Sequence, residues 1–134
     1  MESKYSEICI HKKTMNTLIW TIQGLLAAFF LLPGTLKAFR SKEYLVDKKI
    51  AEPGTSIAPQ RFIGIAELAG VLGLILPLAI GILPVLTPIA ALALSLVMLG
   101  AFIVHFKKSE YNKLPLIVVL FALLHVVAWY RLLW

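Results

Sequence analysis

Four long apolar runs set the limits on what this chain can fold into. Each is long enough to cross the hydrocarbon core of a bilayer as a helix, and together they cover approximately residues 14–39, 61–83, 86–106 and 114–133. Hydrophobic residues make up 60% of the 134 residues, and the mean hydropathy is +0.87, which is outside the range of soluble domains. We therefore predict an all-α integral membrane protein, a four-helix bundle with up-down topology and a polar loop between its first two spanning helices.

The start of the chain resembles a signal peptide, because a polar tail with basic residues precedes the first apolar run. That run contains about 20 apolar residues, enough to span a bilayer, and it lacks an A-x-A cleavage site. We interpret it as a retained helix. The predicted organisation is a polar N-terminal tail, residues 1–13, and a four-helix transmembrane domain, residues 14–134.

The formal net charge is +6, but the basic residues lie in short segments between the apolar runs. This distribution indicates topology signals and contacts with lipid headgroups rather than nucleic-acid binding. Nine of the 13 basic residues lie at one end of the bundle, the end at which the second apolar run begins. This excess favours a cytoplasmic location for that end, with both termini on the other side of the membrane. The single cysteine, Cys9, excludes an intramolecular disulfide or a CxxC redox pair.

One carboxylate, Glu67, lies inside the second apolar run. A charged side chain within a span costs at least about 2.5–3.5 kcal/mol, so it is usually paired or functional. In an up-down bundle several polar residues share its end of the membrane and are expected to cluster with it: Lys37, Arg40, Arg61 and His105. At about 1.5 Å per residue Glu67 lies roughly 9 Å below Arg61, and we expect it within about 4 Å of one of these groups.

Polar and small residues fall on one stripe of the first helix, which we expect to face protein: Gln23, Ala27, Phe30, Gly34 and Lys37. His125 belongs by the same count to a different layer, nearer Gln23. In the second helix, Gly64, Gly70 and Gly73 follow the small-residue pattern that lets membrane helices approach closely. These glycines either pack within the bundle or form an exposed groove for another chain.

The polar loop between the first two spans has two interpretations. Residues 41–50 form a short amphipathic helix on the membrane, with Tyr44, Leu45 and Ile50 as apolar anchors, or the segment is a solvated loop.

Three segments, GTLKAF, RFIGIAELAGVLGLILP and LVMLGAFIVH, resemble the DoxX-like family of small four-helix bacterial membrane proteins over residues 18–134. The resemblance implies a multi-pass protein of the bacterial cytoplasmic (inner) membrane. It also implies a link to membrane oxidoreductase systems, including a subunit of a thiosulfate to quinone oxidoreductase and complexes that answer oxidative or thiol stress. The family has no settled catalytic motif, so the resemblance supplies no active site.

The residues favour no intrinsic cofactor and no metal site. His105 and His125 differ by about 16 Å in depth, which opposes a haem held between them. Glu67 is the only acidic residue within a span, which opposes a carboxylate-bridged metal site. An electron carrier would come from a partner subunit or be a lipid such as quinone, and the sequence leaves open whether the chain is itself an enzyme.

A quinone site is one interpretation of these residues. Glu67 would relay protons and Lys37, Arg61 or His105 would contact the ligand, while an apolar slot would be lined by Phe30, Met98 and Phe102. Glu67 and a basic residue equally suit a structural pair.

Two functions therefore remain open. One is a membrane subunit or accessory protein of an oxidoreductase system that binds quinone or another lipid-soluble small molecule near Glu67. The other is a non-enzymatic helper that binds and stabilises a partner membrane protein. Membrane lipids, a partner oxidoreductase subunit and a second copy of the chain are the expected partners.

Overall fold

The computed structural model describes residues 1–133, apart from the side chain of Glu2. Its helices are α1 (Glu2–Phe39), α2 (Lys42–Asp47), α3 (Ala58–Ile80), α4 (Leu86–Lys107) and α5 (Leu114–Leu133), with a 3-10 turn at Tyr111–Lys113. Four of these helices, α1, α3, α4 and α5, are long and apolar enough to cross a membrane. The predicted all-α four-helix membrane bundle is confirmed. Trp134, the last residue of the predicted transmembrane domain, lies outside the described residues.

The four long helices pack in chain order, α1 against α3, α3 against α4 and α4 against α5, and α5 returns to α1 through a smaller contact. Each contributes a completely buried side chain to the core: Phe30, Leu74, Leu94 and Leu124. Many other leucines, isoleucines and valines of these helices are exposed, as is usual where a surface contacts lipid instead of water. The chain therefore has both a protein core and a lipid-contacting exterior.

Helix α1 is longer than predicted, because it begins at Glu2 and continues without a break through residue 14. Its first 13 residues contain neither glycine nor proline, so nothing in them interrupts a helix. The 38 residues of α1 span about 57 Å, whereas the hydrocarbon core of a bilayer is about 30 Å thick. The polar N-terminal tail is therefore a helical extension of the first span.

The loop between α1 and α3 folds onto the end of the bundle. The Ser41 hydroxyl accepts a hydrogen bond from the Tyr44 backbone N–H at 3.3 Å and caps α2. Leu45 of α2 is completely buried, and Lys108, after α4, forms an ion pair with Glu52 at 2.9 Å. The predicted short helix is present, but its main apolar anchor, Leu45, is buried within the protein.

The end of α3 is set by Gly81, whose φ of 69° lies in the left-handed region that glycine adopts without steric cost. Helix α3 therefore ends at Ile80, short of the predicted residue 83. Its start, at Ala58, is earlier than predicted because Pro59 is tolerated in a first helical turn. The short connection from Gly81 to Leu86 makes α3 and α4 neighbours.

Candidate functional site

Glu67 is buried on the side of α3 that packs against α1, with only 1% of its side chain exposed. Lys37 lies in the last turn of α1, and its Nζ donates a hydrogen bond to Glu67 Oε1 at 2.7 Å. The Lys37 side chain is 20% exposed, so the pair is reached from the surface only along the lysine. The expectation that Glu67 lies within 4 Å of a basic group is confirmed.

Two glycines bring α1 and α3 close enough for this pair. A Cβ atom on Gly64 would lie 2.6 Å from the Ala38 backbone nitrogen and 2.9 Å from the Gly34 carbonyl oxygen. A Cβ atom on Gly34 would lie 3.2 Å from the Glu67 Cβ. The absence of side chains at both positions therefore determines the distance between the helices beside the carboxylate.

The second carboxylate oxygen, Glu67 Oε2, is buried and has no hydrogen-bond partner among the described residues. An ionised carboxylate accepts through both oxygens, and a buried acceptor without a partner costs about 1–3 kcal/mol. The site therefore presents a free acceptor directly beside the Lys37 ammonium group. It can accept a hydrogen bond from a ligand or hold a proton.

Arg61 lies near this pair but has a different contact. Its Nη1 donates hydrogen bonds to the carbonyl oxygens of Ala38 and, at 3.2 Å, of Lys37. Carbonyls in the last turn of a helix have no partner within that helix, and a positive charge there is favourable for the helix dipole. Arg61 therefore caps α1 and joins its end to α3, instead of pairing with Glu67.

His105 also differs from the expected cluster, because it pairs with Glu110 beyond the end of α4. Its Nδ1 and Glu110 Oε2 are 2.5 Å apart, and the Lys113 Nζ lies 3.0 Å from the same oxygen. Ser109, with a φ of 57°, reverses the chain between the two partners. Arg40, the remaining expected member, places its guanidinium over the Tyr44 ring at 5.0 Å.

The Glu110 carboxyl gives a pH-dependent prediction. Hydrogen bonds from Lys113 and from His105 hold the pKa of this carboxyl below its ordinary value. It therefore contributes stability above that ordinary value, and the contribution is lost as the pH falls through the lower pKa of the folded state. We expect wild type to melt slightly above Glu110→Gln at neutral pH, with a difference that shrinks in acid. Thermal unfolding of both proteins across pH measures this, and a difference independent of pH would contradict it.

The predicted slot residues separate into two places. Phe30 is completely buried in the core, whereas Met98 and Phe102 line a groove of about 190 Å³ between α4 and α5. The other lining residues are also apolar: Leu99, Ile117, Val118 and Phe121. The groove and the charged pair are thus on different helix pairs, and none of the side chains that line the groove is polar.

The remaining glycines of α3 face α4. A Cβ atom on Gly70 would lie 2.5 Å from Leu94 Cδ2, and one on Gly73 would lie 2.8 Å from Ala90 Cβ. These contacts cover the glycine face with the chain's own helices. The exposed glycine groove expected for a helper protein or a homodimer is therefore occupied from within the bundle.

A second polar layer, around Gln23, lies toward the other end of the bundle, and its contact with Arg131 was not predicted from the sequence. Gln23 is completely buried and accepts a hydrogen bond from Arg131 Nε at 2.8 Å. His125, expected near Gln23, is exposed, and its Nδ1 donates to the Phe121 carbonyl at 2.9 Å. The available signal was that Arg131, at the end of α5, shares a membrane face with the first part of α1.

The described residues contain no group of three or more His, Cys, Asp or Glu side chains that could hold a metal ion. The polar groups suited to a small molecule are the Glu67 carboxylate and the Lys37 ammonium. One supplies a free acceptor and the other a charged donor.

Comparison with protein families matches residues 21–127 to the DoxX-like family. The match includes Lys37, Arg61 and Glu67 and ends before Arg131. No curated protein and no solved structure matches the chain. The matched range covers most of the chain, with α3 and α4 in full and parts of α1 and α5, and the chain therefore belongs to the DoxX-like family.

Proposed function

We propose that this protein is a membrane subunit or accessory protein of an oxidoreductase system, and that it binds quinone or another lipid-soluble small molecule near Glu67. Its family is often linked to oxidoreductase-related roles. The observation that carries the proposal is the buried Glu67 Oε2 without a hydrogen-bond partner among the described residues. A buried ion pair is favourable only when further hydrogen bonds satisfy its remaining lone pairs, and a ligand hydroxyl such as that of a quinol would supply the bond that Oε2 lacks.

The pair has the chemistry that quinone reduction requires. Reduction to a quinol takes up an electron pair and a pair of protons. The Lys37 ammonium, 2.7 Å from Glu67 Oε1, donates a hydrogen bond to a ligand carbonyl and stabilises the negative charge that develops on its oxygen. Glu67, once protonated from the aqueous face along Lys37, passes one proton to that oxygen. The second proton reaches the other oxygen from water, and a partner subunit with its own redox centre supplies both electrons.

The position of the pair also suits a lipid-soluble ligand. Glu67 lies within a spanning helix, and Lys37 lies near the end of another, so the site is below the headgroups yet close to an aqueous source of protons. A partly exposed lysine is a route for those protons. The conservative variant Glu67→Gln keeps the shape of the side chain and removes its ability to carry a proton.

The test is native mass spectrometry with lipid extraction on gently solubilised wild type and Glu67→Gln. We expect wild type to retain a quinone or its quinol and the variant to retain about tenfold less, since a quinol hydroxyl that donates to the charged Glu67 carboxylate contributes roughly 1.5–3 kcal/mol, whereas glutamine offers only a neutral acceptor. Glu110→Gln is the matched control, because it removes a carboxylate outside the site. Equal retention by all three proteins, or retention by none, would contradict the proposal.

A further inference from the structure

Arg131, in the last turn of α5, is held in a fixed position by residues of α1. Its Nε donates to Gln23 Oε1 at 2.8 Å and its Nη1 donates to Asn16 Oδ1 at 2.7 Å. Gln23 is fixed in turn, because its Nε2 donates to the Leu74 carbonyl of α3 at 2.7 Å. Three helices therefore position one guanidinium group.

The positive charge of this guanidinium has no anionic partner in the described part of the chain. Both of its side-chain acceptors are neutral amides, and its Cζ atom lies 5.3 Å from the centroid of the Trp20 ring and 5.7 Å from that of the Tyr130 ring. Its remaining donor, Nη2, is buried without a hydrogen-bond partner among residues 1–133. A buried donor without a hydrogen-bond partner costs free energy, and the cost is larger when the group is charged. The unpartnered Nη2 therefore points to an acceptor supplied from outside the chain.

A groove of about 500 Å³ lies between the N-terminal part of α1 and the end of α5, and its lining includes the chain neighbours of Arg131 and of its acceptor Asn16, Tyr130 and Met15. It is lined by Glu7, Ile8, His11, Lys12, Met15 and Tyr130. The lining combines basic and apolar side chains, the combination that a lipid headgroup and the first part of its acyl chains require. Arg131 ends a spanning helix, so the groove opens at the level of the headgroups.

We propose that this groove binds the phosphate group of an anionic phospholipid, with Arg131 as its central donor. A guanidinium donates strong charge-assisted hydrogen bonds to phosphate oxygens, and Nη2 is the nitrogen of Arg131 that has no partner among the described residues. Glu7 in the lining opposes highly charged anions and favours a headgroup with a single negative charge. This site is separate from the Glu67 pair, which lies at the opposite end of the bundle.

The experiment is native mass spectrometry of the full chain released from nanodiscs that contain equal amounts of phosphatidylglycerol and phosphatidylcholine. We expect wild type to retain phosphatidylglycerol in preference to phosphatidylcholine, and Arg131→Gln to reduce this preference about fivefold, the effect of one basic residue near an anionic membrane. Arg40→Gln is the matched control. It removes the same charge from an arginine that also lies over an aromatic ring, at the other membrane face, and should keep the preference.

A second variant separates loss of the site from poor folding, and a second measurement separates a lipid headgroup from free phosphate. Arg131→Lys retains the positive charge but lacks the planar set of guanidinium donors. We expect its preference for phosphatidylglycerol to lie between those of wild type and Arg131→Gln, even if Arg131→Gln folds poorly. In detergent, inorganic phosphate should not raise the melting temperature of wild type. The lipid assignment is overturned if wild type shows no preference, if Arg131→Gln and Arg40→Gln behave alike, or if inorganic phosphate alone stabilises wild type but not Arg131→Gln.

Discussion

Replacing Lys37 with methionine is expected to lower the free energy of unfolding by about 3–5 kcal/mol, the cost of removing one partner of a buried ion pair. The substitution leaves Glu67, whose side chain is 1% exposed, without its charged partner in the interior of a membrane protein. Glu67 Oε1 would lose the hydrogen bond that it accepts at 2.7 Å, and Oε2 already has no partner among the described residues. Equilibrium unfolding in mixed micelles measures the loss.

The double variant Lys37→Met, Glu67→Leu tests the cause. Replacing a whole buried pair with apolar residues is often neutral or stabilising, so the double variant should recover most of the stability lost by Lys37→Met. Lys42→Met serves as a control, because Lys42 is exposed and should change stability by no more than about 0.5 kcal/mol. If the double variant is as unstable as Lys37→Met, the loss does not come from an unpaired Glu67.

The second large effect is expected at Gly64, where alanine should lower the free energy of unfolding by about 1–3 kcal/mol through overpacking. The new Cβ would lie 2.6 Å from the Ala38 backbone nitrogen and 2.8 Å from the Lys37 Cβ. A backbone atom cannot move aside as a flexible side chain does, so α1 and α3 must separate. This separation should also lengthen the Lys37–Glu67 contact.

Gly100→Ala is the matched comparison for this prediction. Gly100 also lies inside a spanning helix, α4, but a Cβ atom added there would have no neighbouring atom within 4 Å. Without a clash, the higher helix propensity of alanine should leave stability unchanged or raise it by up to about 1 kcal/mol. Equal effects of the two substitutions in the same unfolding assay would show that α1 and α3 are not in close contact at Gly64.

That Glu67 pairs with a basic residue at its end of the bundle could be predicted from the sequence, with Lys37 as one of four candidates, because the prediction depends only on helical depth and face. Both residues interrupt apolar runs on the small or polar stripe of their helix, and the rise of an α-helix places them at similar depths. The contact made by Arg61 could not be predicted in this way. Its acceptors are the backbone carbonyls of Lys37 and Ala38, which no pattern of side chains reveals.

Other site contacts depend on geometry beyond helical periodicity. His105 meets Glu110 because a left-handed residue, Ser109, turns the chain back. Arg131 meets Gln23 only at one register of α5 against α1. Helices that are apolar on all sides show little periodicity from which to read that register, so the contact of Arg131 with Gln23 became visible only in the folded chain.

The unequal length of α1 gives the molecule two different faces. At one face the loop that contains α2 folds over the helix ends and buries Leu45. At the other face, the polar first 13 residues continue the helix about 20 Å beyond the spanning part. The part of α1 that extends beyond the membrane at one face therefore belongs to the same helix that Lys37 and Arg61 join to α3 at the other face.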